Sequence, residues 1–169
     1  KTGHPQRWHM LKWLRNHLKM ISFEEALCGH YTNKAQATSD PQKWPWVNIE
    51  WTEIKKGKIL ECKSWYEYEG PNKPYKHFRA KIKRIHEDII ECDTLDLKKN
   101  KKGCGFVFVK MDDGTWWGET NGPCVVNDIN ITALARFNGT DYWSFDNGRR
   151  LRSGAFVWGK EEKDCLLYT

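Results

Sequence analysis

One carboxylate stands out because of the residues on both sides of it. Asp146 ends the aromatic run YWSF (142–145), and the stretch NGRRLR (147–152) that follows holds three arginines. On a strand, Tyr142, Ser144 and Asp146 would share one face. A carboxylate in an aromatic pocket suits a cationic or N–H-rich ligand, and nearby basic residues suit acidic groups on that ligand. Asp-Asn-Gly is also a common start of a turn, and spacing alone favours that role for Asp146.

Two further stretches could line a binding site. SWYEY (64–68) is aromatic, and YKHFRAK (75–81) combines basic and aromatic residues. If both are strands, one face of each supplies lining for a pocket. The sequence lacks the motifs of serine hydrolases, P-loop proteins, zinc proteases and dinucleotide-binding proteins. A binding pocket is therefore favoured over a hydrolytic centre.

Composition limits the class of protein and of ligand. The 169 residues suit one domain with its own core. Ten tryptophans, six tyrosines and seven phenylalanines could line a site for a flat conjugated ligand or simply pack the core. The net charge of +6 favours an anionic partner: nucleic acid, a membrane surface or an acidic ligand. No apolar run reaches the length of a membrane span, and recognised nucleic-acid-binding motifs are missing. Neither a membrane nor a nucleic acid is therefore the expected partner.

The six cysteines form no metal-binding pattern. No C-x-x-C pair occurs and the spacings match no zinc site, so no metal is expected. An even number permits disulfides, and two N-x-T sequences (130–132 and 138–140) fit the glycosylation pattern of secreted proteins. The first residues lack the apolar segment of a signal peptide. Structural or incidental thiols are therefore favoured over disulfides.

Periodicity predicts helices first and strands later. Apolar residues recur at three- and four-residue steps from Trp8 to Ile21, which predicts a helix. Ser22 and Glu25 form a capping box for a second, short helix, and Asn33 is placed to cap a third, KAQATS. After position 45 the period changes to two, as in WVNIEWTEI, YKHFRAKIKRI and GAFVWG.

These elements predict a mainly β fold in one domain, residues 1–169. Residues 1–44 are expected to be mainly helical, and residues 45–160 to form an antiparallel up-and-down barrel of about eight to ten strands. Asn138-Gly139 is a strong hairpin signal. A barrel of this size can hold one small ligand. A β-sandwich is the alternative.

Several motifs occur in the order found in one protein family. In chain order they are Leu27-x-Gly29-x-Tyr31-x-Asn33-x-x-Gln36-Ala37, Asp40-Pro41, Trp65-Tyr66-x-Tyr68, Pro74-Tyr75-x-x-x-Arg79, Gly103-Cys104, Trp117-Gly118-Glu119, Gly122-x-Cys124, Tyr142-Trp143-Ser144-x-Asp146-x-Gly148-Arg149 and Val157-Trp158-Gly159. With these motifs the chain resembles the T-type phycobiliprotein lyases, which attach open-chain bilins to light-harvesting proteins. The match runs, with gaps, from about residue 27 to residue 160.

The resemblance implies a calycin- or lipocalin-like barrel that binds one bilin non-covalently, with no permanently bound cofactor. It implies that Asp146 accepts hydrogen bonds from pyrrole N–H groups and favours the protonated pigment, and that Glu119 is a second candidate acid for proton delivery. Arg79, Arg149 or nearby lysines would hold the propionates. Residues expected to contact the pigment, beyond those two arginines, are Tyr66, Tyr68, Tyr75, Trp117, Ser144 and Trp158. Cys104 and Cys124 are given no nucleophilic role, because the acceptor protein supplies the thiol.

The resemblance also implies partners and a location. The pigment is phycoerythrobilin or phycocyanobilin, and the acceptor is a cysteine of an apo-phycobiliprotein β subunit of phycoerythrin or phycocyanin. Dimers occur in the family, so a homodimer is an alternative to a monomer. The expected location is the cytoplasm of a cyanobacterium, with a phage-encoded copy or the stroma of a plastid as variants.

The chain departs from the family's pattern beside Asp146. Asn147 stands where the family often has arginine, and Arg150 stands where an acidic residue is usual. These changes bear on the choice of bilin and on transfer, so a bilin carrier without full transfer activity is one alternative. A lipocalin-like carrier of another hydrophobic ligand is the second alternative. A nucleic-acid binder that stacks bases on exposed aromatics ranks third.

Overall fold

The computed structural model describes residues 21–159 and 166–168. Within them are two helices, α1 (Phe23–Leu27) and α2 (Lys34–Ser39), and thirteen strands. The strands are β1 (Gly29–Thr32), β2 (Val47–Lys55), β3 (Ile59–Tyr66), β4 (Lys76–His86), β5 (Ile89–Asp96), β6 (Lys101–Lys102), β7 (Phe106–Lys110), β8 (Trp116–Thr120), β9 (Val125–Val126), β10 (Ile129–Phe137), β11 (Tyr142–Arg150), β12 (Phe156–Gly159) and β13 (Leu166–Tyr168).

The helical signals of the sequence are confirmed where the structure describes them. The capping box of α1 forms: the Ser22 hydroxyl accepts the Glu25 amide at 3.1 Å, and the Glu25 carboxylate accepts the Ser22 amide at 2.8 Å. The helix predicted from Trp8 to Ile21 lies outside the described residues, apart from its last position. Neither described helix is long and apolar enough to cross a membrane.

Asn33 precedes α2 as predicted, but its side chain does not cap the helix. Its Oδ1 accepts a hydrogen bond from the Val47 amide at 2.7 Å, and its Nδ2 donates one to the Pro45 carbonyl at 2.9 Å. The Asn33 side chain is buried, and its two hydrogen bonds fix the start of β2. The strand β1, just before it, lies within the segment expected to be mainly helical.

The strands form one antiparallel sheet, as the sequence predicts. Its main path is β1-β2-β3-β4-β5-β7-β8-β10-β11-β12, and the short strands β6, β9 and β13 pair with β5, β10 and β11. Thirteen strands less these three leave ten on the main path, in line with the expected eight to ten. Most neighbours in the path follow each other along the chain, which is the topology that short hairpin turns produce.

The sheet curls into a half-barrel, so that distant strands face each other. The ring centroids of Tyr31 on β1 and Tyr142 on β11 are 5.3 Å apart, and Lys76 on β4 contacts Asp146 on β11. The mainly β, lipocalin-like fold is thereby confirmed. We call the concave side, which carries the buried core residues, the inner face, and the convex side the outer face.

The helix α1 fills one end of the half-barrel. The Phe23 ring meets Phe108, Trp116 and Phe137 edge-on, at centroid distances of 5.2, 5.0 and 5.5 Å. Gly118 makes room for this cluster, because a Cβ there would lie 2.1 Å from the Phe108 ring. Burial of one such phenylalanine stabilises the fold by roughly 1.5–3 kcal/mol. Many of the aromatic residues are thus core residues.

A disulfide joins two loops at the ends of strands. Cys104, just before β7, is bonded to Cys124, just before β9, with Cα atoms 5.7 Å apart. The expectation that the cysteines are unpaired thiols was wrong for this pair, because sequence spacing alone cannot show that the β5–β7 and β8–β9 connections meet. Cys28, Cys62 and Cys92 are free thiols, and Cys165 lies outside the described residues.

The α1 end of the half-barrel also holds an ion pair, between Glu24 and Arg84 on β4. The Glu24 side chain is 9% exposed and that of Arg84 is 48% exposed. We expect Glu24→Gln to lower the free energy of unfolding by about 1–2 kcal/mol, because a charge-assisted hydrogen bond at a buried position becomes a neutral one. Urea unfolding measures the change. Glu87→Gln, at an exposed position in the β4–β5 turn, is the control, and an equal effect of both variants would contradict the prediction.

Candidate functional site

Asp146 lies inside a strand. The turn role that spacing favoured is wrong, because β11 runs on to Arg150 and the turn follows at 151–153. The inner face of β11 carries Tyr142, Ser144 and Asp146 in alternation, as a period of two predicts. The residue opposite Asp146 is Ala133 on β10, which projects only a methyl group. The carboxylate therefore stands on the concave side next to a small neighbour.

The side chain of Asp146 forms an ion pair with Lys76, which is 70 positions away in the sequence. Lys76 is the first residue of β4 and pairs with Ser64 on β3, so both lie on the inner face. No family motif specifies the residue at position 76. A signal was available, however, because Lys76 has the same parity as the core residues Ala80 and Ile82.

Four tyrosines surround this pair; we call Tyr66, Tyr75, Tyr142 and Tyr168 the tyrosine cluster. The rings of Tyr66 and Tyr75 stack at 4.8 Å, and those of Tyr142 and Tyr168 meet edge-on at 5.7 Å. Tyr68 stacks on Tyr66 at 5.6 Å and is 82% exposed, so it lies at the rim. The expected wall residues Tyr66, Tyr68 and Tyr75 therefore come together.

The buried phenols of the cluster are neutral. Burial raises the pKa of Tyr75, Tyr142 and Tyr168 above the usual value, and the negative charge of Asp146 raises each of these pKa values further. Tyr168 hydrogen-bonds to Ser144 through its side chain. The site therefore offers an ionic pair and neutral phenols against aromatic surface. Nothing in the sequence signalled Tyr168, because it belongs to a three-residue strand after β12.

Trp158, on β12, lies on the same face as Asp146. Gly148 faces it across the β11–β12 pair, and a Cβ on Gly148 would lie 2.5 Å from the Trp158 indole. Gly159 has φ +95°, and a Cβ there would lie 2.1 Å from the Asp146 carbonyl oxygen. The two glycines therefore let the indole cross β11 and let the two backbones approach closely.

Four residues that were expected in the site lie on the outer face instead: Arg79, Trp117, Glu119 and Arg149. Arg79 donates from Nε to Glu61 at 3.0 Å, and the guanidinium of Arg136 stacks on Trp117 at 3.9 Å. Glu119 is exposed two residues after Trp117. The structure does not bring Arg79, Trp117 and Glu119 to Asp146, because they alternate with the inner-face residues of their strands.

Arg149, the fourth, also points away from Asp146. Its guanidinium lies 3.7 Å above the Phe156 ring and donates to the Gly154 carbonyl at 3.1 Å. It thereby orders the β11–β12 turn. The position after it, Arg150, is exposed at the end of β11. Neither arginine takes part in the inner-face site.

The ion pair of Arg79 is mainly structural. Partial burial raises the pKa of Glu61, but hydrogen bonds from Arg79 and His77 outweigh that effect and hold this pKa below its usual value. The Glu61 carboxylate thus has two close neighbours on β4, His77 Nε2 at 3.2 Å and Arg79 Nε at 3.0 Å. A ligand's carboxylate would have to compete with Glu61 for Arg79.

No activated nucleophile is evident among the described residues at this site. Burial raises the pKa of the Cys62 and Cys92 thiols to about 12, so both are neutral at physiological pH. Burial also raises the pKa of Cys28 to about 11. Because the thiolate is the reactive form, the inner face is suited to binding and orienting a ligand rather than attacking it.

Comparison with solved structures finds the same fold. The T-type phycobiliprotein lyase CpeT from Prochlorococcus phage P-HM1 matches with a TM-score of 0.67 at 20% sequence identity, over 87% of this chain and 93% of that chain. The chain has the fold of a T-type phycobiliprotein lyase. This agrees with the resemblance that the motifs predict.

A second solved structure, the CRL protein of Arabidopsis, matches with a TM-score of 0.65 at 14% identity, over 96% of this chain and 97% of that chain. No family model matches the sequence. No curated protein matches it either. At these identities the likeness shows the fold, so the function has to be argued from the site itself.

The buried phenols predict a loss of stability at alkaline pH. Their folded pKa values lie above the unfolded value of 10.0, so their contribution is complete below about pH 10 and is lost as pH rises through the folded values. Urea unfolding at a series of pH values should show a falling midpoint above about pH 10, with tyrosinate absorbance appearing on unfolding. Tyr142→Phe should reduce the pH slope. Tyr68→Phe, at the exposed rim, should not, and equal slopes in the two variants would contradict this account.

Proposed function

We propose that this protein is a phycobiliprotein lyase that binds one bilin non-covalently on the inner face of its half-barrel. The observation that carries the proposal is Asp146, an accessible carboxylate on the concave side between the tyrosine cluster and Trp158. The fold shared with a protein described as a T-type phycobiliprotein lyase supports it. The site is formed by Asp146, Ser144, Lys76, the tyrosine cluster and Trp158, with Tyr68 at its rim.

A bilin matches the chemistry of this site. Its pyrrole rings are flat and conjugated, which suits stacking on Tyr66, Tyr75 or Trp158. Its ring N–H groups are donors, and Asp146 is a charged acceptor on the same face. A carboxylate beside the ring nitrogens stabilises the protonated, cationic form of the pigment. Both the aromatic walls and the acid thus act on one ligand.

The proposed reaction needs no nucleophile from this chain. The acceptor thiol adds across the ethylidene double bond of the first ring. Sulfur bonds to one carbon, the thiol proton is added to the conjugated system, and nothing is oxidised or reduced. The lyase contributes by fixing the conformation of the pigment and the face that the thiol attacks. Asp146 contributes by holding the ring nitrogens. Glu119, exposed on the outer face, is not part of this site.

The partners are part of the same proposal. The ligand is phycoerythrobilin or phycocyanobilin, and the acceptor is a cysteine of an apo-phycobiliprotein β subunit. The location would be that of the acceptor, the cyanobacterial cytoplasm or a plastid stroma. The Cys104–Cys124 disulfide favours a second candidate, a lipocalin-like carrier of another hydrophobic ligand, because disulfides are more common in oxidising compartments.

Titration with phycoerythrobilin and phycocyanobilin tests the binding step. At least one pigment should show a shifted absorption band and induced circular dichroism. Asp146→Asn should weaken binding by roughly tenfold or more, because a charge-assisted hydrogen bond becomes a neutral one, and should shift the bound pigment to the blue. Asp112→Asn, in the exposed β7–β8 turn, is the control. No spectral change with either pigment would rule out the proposal and leave the second candidate.

Incubation of the loaded protein with apo-β subunit tests the transfer step. We expect a covalent adduct on one cysteine of the acceptor, found by peptide mapping, and faster formation than from free pigment. Accelerated attachment with mixed stereochemistry or at several cysteines would contradict orientation as the contribution of the protein. Tight binding without acceleration would identify a bilin carrier instead of a lyase.

A further inference from the structure

The ion pair between Lys76 and Asp146 has a consequence for ligand selection. We propose that Lys76 pairs with Asp146 in the ligand-free protein and pairs instead with a propionate carboxylate when a bilin binds, so that the site selects pigments with free propionates. This inference rests on the proposed function. It assigns a positioning and specificity role to Lys76, a position that the family motifs leave unspecified.

The pair is open enough to exchange. The side chains of Lys76 and Asp146 are 44% and 33% exposed, so solvent screens their attraction and the pair adds little stability. The pair at the opposite end differs, because the Glu24 side chain is only 9% exposed. Of these two inner-face ion pairs, the one at Asp146 is suited to being opened by a ligand.

The position of Lys76 places a mobile cation beside the aromatic wall. It directly follows Tyr75, whose ring stacks on Tyr66 at 4.8 Å. A lysine has four methylene groups and carries a point charge that can be redirected by rotation. A pigment ring lying against this wall with its N–H groups at Asp146 would therefore have its side groups within reach of the ammonium.

Charge balance explains why the exchange selects the ligand. The phenols of Tyr75, Tyr142 and Tyr168 are neutral. The charges that a bound pigment would meet are therefore those of Lys76 and Asp146. A cationic pigment that takes Asp146 leaves Lys76 unpaired unless the pigment also brings an anion. A free propionate supplies that anion, whereas an esterified propionate leaves Lys76 competing with the pigment for Asp146. The site should therefore favour the free acid over the ester.

A comparison of two ligands and two proteins tests the inference. Phycoerythrobilin or phycocyanobilin, whichever binds, is titrated as the free acid and as its dimethyl ester into the native protein and Lys76→Met. The native protein should prefer the free acid by about tenfold, as expected for one charge-assisted contact. Lys76→Met should lose most of this preference through weaker binding of the acid, with the ester bound equally well or better. Lys76→Arg should keep the preference.

Lys81→Met is the matched control, because Lys81 is exposed on the outer face of the same strand; it should behave as the native protein. Far-ultraviolet circular dichroism verifies that each variant folds. The inference is overturned if Lys76→Met weakens acid and ester equally, or if the native protein does not distinguish them. A native protein that binds neither pigment would instead overturn the proposed function, so the two failures are distinguishable.

Discussion

The structure depends on the burial of Phe23 among the aromatic rings of the sheet. The hairpins of a ten-strand sheet do not by themselves determine where the sheet curves. The sheet can cover the apolar face of a helix only by curling around it. Because Phe23 contacts rings from β7, β8 and β10 at about the same distance, α1 fixes where the concave side lies. The curl in turn brings β4 to β11, and with them Lys76 to Asp146.

This arrangement separates the half-barrel into two chemically different ends. The α1 end is filled with aromatic core residues and closed by the Glu24–Arg84 pair. Toward Asp146 the inner face instead carries hydroxyls, an accessible ion pair and the Trp158 indole. The same strands thus supply stability at one end and ligand chemistry at the other.

Much of the fold was predictable from the sequence. Alternation from residue 45 onward predicted the antiparallel strands, and the capping box predicted α1, because both signals depend on local backbone geometry. The Cys104–Cys124 bond and the position of β13 were not predictable, since they depend on which loops and strands meet after the sheet curls. The hydrogen bonds of the Asn33 side chain were missed for the same reason, because Val47 is its partner only in the folded chain.

The site was predictable in part. Asp146 and Ser144 share a face by the period of two, and Tyr66 and Tyr75 belong to the same wall. Arg79, Trp117 and Glu119 were selected by resemblance, and their strand parity places them on the outer face. Lys76 had the correct parity, but its value as a partner of Asp146 appears only when β4 and β11 are seen together. The resemblance therefore selected the acid of the candidate site, whereas neither the resemblance nor the spacing selected its counter-ion.

The most direct test is a crystal structure of the protein with a bound bilin. The account predicts a tetrapyrrole on the inner face, with pyrrole nitrogens at about 2.7–3.2 Å from the Asp146 carboxylate and a ring against the Tyr66–Tyr75 wall. Pigment on the outer face, beside Trp117 and Arg79, would contradict it. So would a pigment on the inner face whose nitrogens make no contact with Asp146.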